Sequence, residues 1–215
     1  MIYILHIDTS STVGLVILAL DGEIVSSRLN MTERDHANSI NKMISDVLEE
    51  GEIELNQLHA IAVCSGPGSY TGLRIGMATA KGLCYALDKP LITNTKLELI
   101  VDEANNQKVL NVAILPARIG EYFVAAYQGG NVVIAPTHMN VKDLESKLND
   151  FSEYVIVGNV GEDLGLLQAV KLVHDDSILQ PQWATLTFNS YKQNNFANIA
   201  FAEPLYLKQV FIHGK

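Results

Sequence analysis

Thiols, charges and paired histidines are all scarce in this 215-residue sequence. Its two cysteines, Cys64 and Cys84, are too few and too far apart for a disulfide framework or a thiolate metal site. They predict a reducing cytosol as the compartment and each thiol as a small core hydrophobe. Only 18% of residues are charged and no stretch is low in complexity or rich in proline and glycine. Disorder is thereby excluded, and 48% hydrophobic residues predict a filled core. No apolar run approaches the ~18 residues of a membrane span. The opening Met1 to Ile7 has no basic flank and runs into His6 and Asp8, which argues against a secretory signal and for a cytoplasmic protein.

Basic residues are also in deficit, 15 against 24 acidic, for a formal charge of −9, which disfavours autonomous binding to a phosphate backbone. Met1 to Gln107 carries 14 acidic and 7 basic residues, net −7, and Lys108 to Lys215 carries 10 and 8, net −2. Within the acidic half, Asp46, Glu49, Glu50, Glu52 and Glu54 follow one another without a base, either as a solvated helix end or as a surface for a basic partner.

Catalytic arrangements are missing too. The six histidines, His6, His36, His59, His138, His174 and His213, never fall within four residues of one another, so a helix-borne metal pair is absent. No Gly-x-Ser-x-Gly elbow occurs. We assign no catalytic residue and no metal ligand, and expect His36, at a helix start, to lie on the surface.

What is present reads as α/β. Ile2 to Asp8 and Val13 to Leu20 are strands, and Asp21-Gly22 supplies a tight hairpin into a third, Glu23 to Leu29. Ala37 to Glu50 has Ile40, Met43, Ile44, Val47 and Leu48 at helical spacing, stopped by Gly51. A strand at Ala60 to Cys64, a glycine turn, a helix from Leu73 to Leu87, a strand at Leu91 to Thr93 and a helix at Thr95 to Ala104 follow. The second half has strands at Val109 to Leu115, Glu121 to Tyr127 and Val132 to Ala135, a helix at Val141 to Leu148, a strand at Tyr154 to Val157, a helix from Glu162, and a helix at Phe188 to Phe201. Strands followed by helices, once in each half, predict two related subdomains, residues 1–105 and 106–215, with a boundary near Asn105-Asn106.

The densest signal is Ser65 to Gly76, between a strand and a helix. Ser69 or Thr71 can cap that helix, and a helix start behind a glycine loop suits an anion. Yet neither Gly66 nor Gly68 has a glycine five positions on, and Thr71 stands where a dinucleotide fingerprint needs its third glycine. Gly66, Gly68, Ser69, Thr71 and Gly72 are therefore either a structural turn or phosphate contacts. Asp8, Thr9 and Ser10 pose the same choice between an Asx-turn and a phosphate loop. In Leu73 to Leu87 only Arg74 and Lys81 are charged, and such a helix needs cover on both sides, from a partner or from another helix of the chain.

Asp8-Thr9-Ser10 ending the first strand, Arg34-Asp35-His36, the block Gly66 to Gly76, Ala117-Arg118 with Glu121, and Ala202-Glu203-Pro204-Leu205-Tyr206-Leu207 resemble the TsaB (YeaZ) family over nearly the full length. The resemblance implies two actin-like, ribonuclease-H-like subdomains, each a mixed sheet flanked by helices. It also implies a non-catalytic partner of the transferase TsaD, which works with the ATPase TsaE to threonylcarbamoylate the adenosine next to the anticodon in tRNAs reading ANN codons. On that footing ATP and metal belong to the partner subunits, tRNA is met only through the complex, and the isolated subunit holds no cofactor. Pro116 departs from the resembled family, most of whose members carry Asp there, and removes a carboxylate and a backbone N–H from the second hairpin.

The expected docking residues are Ile40, Met43, Ile44 and Val47 on one helix and Gly76, Ala80 and Leu83 on the other, with homodimerisation through the same face when the chain is alone. The competing reading is an M22-type glycoprotease-like peptidase or an ATP-dependent transferase of the same fold, working at the Asp8 and Gly68 loops. A self-sufficient nucleotide-binding regulator is a third.

Overall fold

The computed structural model describes residues 1–32, 35–101, 108–158, 170–172 and 180–208. The chain forms two compact units, Met1–Lys96 with Leu179–Leu205, and Leu97–Ile178 with Tyr206–Lys215. The boundary expected near Asn105-Asn106 lies outside the described residues. A single cut there also misses the return of Leu179–Leu205 to the first unit, a long-range packing event with no local signal.

In the first unit, β1 (Tyr3–Asp8), β2 (Gly14–Leu20), β3 (Glu23–Asn30), β4 (Ala60–Gly66) and β5 (Leu91–Thr95) form one sheet in the order β3-β2-β1-β4-β5. β1, β2 and β3 are antiparallel and β4 and β5 join in parallel. The Asp21-Gly22 turn takes φ of 51° and 90°, the left-handed pair that a tight hairpin needs. α1 (His36–Glu50) and α2 (Tyr70–Leu87) cover one face, burying Leu5, Ile7, Val16, Leu18, Ile61 and Val63 beneath them. The other face receives α5 (Gln180–Lys192), where Trp183, Ala184 and Thr187 are buried.

Two expectations change here. The helix read from Leu73 begins at Tyr70, because Ser69 caps it. The helix placed at Phe188 to Phe201 runs instead from Gln180 to Lys192; Pro181 suits a first turn, and Asn194 at φ 55° turns the chain away. The segment beyond continues as a strap: Ala197 N donates to Leu91 O at 2.8 Å and Leu205 N donates to Ser65 O at 2.8 Å. The strap thereby pairs with the free edge of β5 at Leu91 and with the end of β4 at Ser65.

The second unit repeats the design. β6 (Leu110–Arg118), β7 (Glu121–Gln128), β8 (Asn131–Asn140), β9 (Tyr154–Gly158) and β10 (Val170–Leu172) stand in the order β10-β9-β6-β7-β8. β6, β7 and β8 are antiparallel and β9 and β10 parallel, as in the first sheet. Matching order and sense in both sheets is the two-subdomain, ribonuclease-H-like arrangement expected above. α4 (Val141–Leu148) buries Leu144 and Leu148 on this core, capped by Asn140, which accepts from Asp143 N at 2.9 Å. The third strand, expected to stop at Ala135, runs through Pro136 because β8 is an edge strand, where a missing N–H costs no ladder bond. Of the helix placed at Thr95 to Ala104 only the short α3 (Lys96–Leu99) is seen, and residues 102–104 lie outside the described set, as does the helix from Glu162.

Candidate functional site

The β1–β2 loop and the glycine turn before α2 meet in the first unit. Asp8 Oδ1 accepts from Ser10 N at 2.7 Å, an Asx-turn. The next residues then reach outward. Thr9 Oγ1 donates to Gly72 O at 2.7 Å, Ser10 O accepts from Ser69 N at 2.6 Å, and Ser11 O accepts from His36 Nε2 at 2.9 Å. One loop thus fastens the start of α2, the turn before it and the start of α1. His36, expected at the surface, is buried to 7% exposure because of this bond.

The glycines exist for this packing. A Cβ on Gly68 would overlap the Ser10 carbonyl, one on Gly72 the Thr9 carbonyl, and one on Gly76 the Thr9 hydroxyl. Gly66, at φ 117°, sits against Leu73 and the Leu205 carbonyl. The glycine block and the Ala202-to-Leu205 part of the later motif are therefore one packed structure. At Gly68 and Gly72 the neighbours are carbonyl oxygens, which accept hydrogen bonds and do not attract phosphate. Beside them a cavity of about 630 Å³ is lined by Ser10, Ser11, Thr12, His36, Ser69, Thr71, Gly72 and Ile75, with no acidic or basic side chain apart from the histidine.

Beneath the loop is a group that the sequence did not single out. Lys96 Nζ lies 4.0 Å from Asp8 Oδ2 and 3.5 Å from Ser10 Oγ, with both charged side chains buried. Cys64 Sγ is 3.8 Å from the same Ser10 Oγ, and burial, with the Asp8 carboxylate second, pushes its thiol up to about 12. Behind the sheet, Trp183 Nε1 donates to Asn94 Oδ1 at 3.0 Å. Lys96, Asn94 and Trp183 carry no local sequence signal, because their partners lie far away in the chain.

The expected docking residues need correction. Ile40, Met43, Ile44 and Val47 are buried at 6% exposure or less in the unit's own core, as is Ala80, and Gly76 is buried against Thr9. Leu83 is half-buried. The apolar stripe of α1 faces the sheet, and its outer face is polar, with Asn41, Lys42, Ser45 and Glu49 exposed. On α2 the outward residues are Arg74, Ala78, Gly82, Tyr85 and Ala86. Tyr85 is 86% exposed, and a Cβ on Gly82 would meet nothing within 4 Å. Arg74 stacks on the Tyr70 ring at 3.9 Å from its centroid.

In the second unit Glu121 forms an ion pair with Lys208 and lies 3.1 Å from His138 Nε2, and the ammonium, foremost, holds its carboxyl below the usual range. Pro116 pairs with Tyr122 just before a register shift in the same hairpin. Among the described residues no group of three or more His, Cys, Asp or Glu could hold a metal ion, and no helix is long and apolar enough to cross a membrane.

Residues 25–146 match the family described as TsaD, tRNA N6-adenosine threonylcarbamoyltransferase. The tRNA threonylcarbamoyladenosine biosynthesis protein TsaB of Escherichia coli is 28% identical, covering 95% of this chain and 94% of that protein. TsaB of Bacillus subtilis is 32% identical over 60% of this chain and 56% of its own length. The solved structure of YeaZ from Pseudomonas aeruginosa has the same fold, with a TM-score of 0.72 over 96% of this chain and all of that one, at 24% identity. Two repeated sheets, a glycine turn packed onto the first loop, and likeness to TsaB along nearly the whole length make this chain a member of the TsaD-type family, in its TsaB (YeaZ) branch.

Proposed function

We propose that this chain is the non-catalytic subunit of a tRNA threonylcarbamoyladenosine-forming assembly, docking a TsaD-like transferase through the outward face of α2. The observation that carries the reading is that face itself. Ala78, Gly82 and Ala86 recur every four residues on a nearly uncharged 18-residue helix whose opposite side is buried in the chain's own core. Small residues at that spacing let a second helix approach closely, and Tyr85 beside them supplies a large amphipathic anchor. The names of the TsaB relatives support the pathway.

The subunit then brings no chemistry of its own. ATP and metal belong to the partners, a TsaE-like ATPase among them, and tRNA, disfavoured by the net charge of −9, is met through the complex. The setting is cytoplasmic, and when alone the chain pairs with a second copy through the same face.

The test is affinity for the TsaD-like transferase from the same cell. The native chain should form a stoichiometric complex, and Gly82→Arg, which projects into open space, should lose it with an unchanged circular dichroism spectrum. Normal binding by folded Gly82→Arg and Ala78→Arg would place the docking surface elsewhere. ATP turnover by the isolated chain that disappears in Thr9→Ala would support the enzyme reading instead.

A further inference from the structure

Asp8 and Lys96 are a buried pair with no part in docking. Their side chains are 11% and 8% exposed, and the carboxylate is held in one orientation, because Oδ1 accepts from Ser10 N while Oδ2 faces the Lys96 ammonium at 4.0 Å. The Ser10 hydroxyl, 3.5 Å from that ammonium, belongs to a buried residue that separates the pair from the neighbouring cavity, which Ser10 lines and Asp8 and Lys96 do not. A fixed carboxylate oxygen and a serine hydroxyl are hard oxygen donors of the kind that magnesium or manganese takes when it keeps several of its waters.

We propose that the Lys96 ammonium is the resident cation of the Asp8 loop, standing where a divalent metal would otherwise bind, so that the loop is built to stay metal-free. A metal on Oδ2 would sit within a few ångströms of the ammonium, and in a buried site two cations at that range repel strongly. The lysine is tethered to the chain and neutralises Asp8 at every moment, whereas a free ion would have to be desolvated on each binding. Removing it leaves an uncompensated buried carboxylate, the condition that recruits a cation. This arrangement is independent of the docking reading and stands or falls apart from it.

The test is manganese binding by the full chain, followed by the loss of the free-ion electron paramagnetic resonance signal. Lys96→Ala should bind one Mn²⁺ on the order of tenfold or more tightly than the native chain, and Asp8→Asn/Lys96→Ala should lose that gain. Millimolar Mn²⁺ should also raise the melting temperature of Lys96→Ala alone. Native protein that binds Mn²⁺ in a way abolished by Asp8→Asn overturns the proposal, as does a folded Lys96→Ala with no gain. Should Lys96→Ala be unfolded in metal-free buffer, refolding on adding Mn²⁺ supports the proposal and failure to refold overturns it.

Discussion

His6 Nε2 and Thr187 Oγ1 lie 2.7 Å apart across 181 residues, joining the first strand to α5 in the heart of the first unit. The imidazole is fully buried, with its ring edge-on to Trp183 at 5.0 Å between centroids. Burial pushes the His6 pKa down to about 4 from its ordinary 6.5.

Stability should therefore depend on pH through this one ring. The folded state prefers neutral His6, so between about pH 6.5 and 4 the unfolded chain binds the extra proton and stability falls as pH falls. The whole effect is about 3 kcal/mol. Urea midpoints across this range should show a slope near one proton that His6→Gln removes.

The glycines should divide sharply by position. Gly68→Ala and Gly72→Ala each place a methyl group on a backbone carbonyl of the Asp8 loop and should cost about 2–3 kcal/mol. Gly82→Ala meets open space within a helix and should stabilise by up to about 1 kcal/mol. Thermal melts of the three variants test the order.

Ala80 and Ala78 are two positions apart on α2, one buried and one exposed. Ala80→Arg forces a charge into the core beside the sheet and should cost about 3 kcal/mol or more, lowering the yield of folded protein. Ala78→Arg should change stability by no more than about 0.5 kcal/mol. Denaturant titrations that ranked the two alike would contradict the burial of the Ala80 face.

Neither thiol should react in the native state. Burial pushes Cys64 and Cys84 up to about 12, so the thiolate is a very small fraction at about pH 8. Ellman's reagent should count no thiol in folded protein and both after denaturation.

Local features were legible in the sequence. The Asp21-Gly22 hairpin and the amphipathic spacing of α1 each depend on residues a few positions apart and stand as read, and of the two candidate caps, Ser69 and Thr71, the structure uses Ser69. Identifying what covers an apolar stripe is a different problem. Ile40, Met43, Ile44 and Val47 have the spacing of a docking face, but that spacing is the same whether a partner or the chain's own sheet lies on it. The pattern of α5 is hard to read from sequence because Thr187 and Trp183 bury a hydrogen-bonded face, which leaves little hydrophobic period. Lys96 is one lysine among surface lysines until folding carries it beneath Asp8.

The return of Leu179–Leu205 to the first unit has a consequence for synthesis. A ribosome that has released residues 1–96 has released five strands and two helices but neither the tryptophan that fills the back of the sheet nor the strap along β5. Until about ninety further residues emerge, the nascent sheet presents His6 and Leu91 to solvent and to chaperones. Completion of the first unit thus waits until the α5 segment and the strap have been made, and a stop codon before the α5 segment would yield a fragment that is open on one face however well its first ninety-six residues are translated.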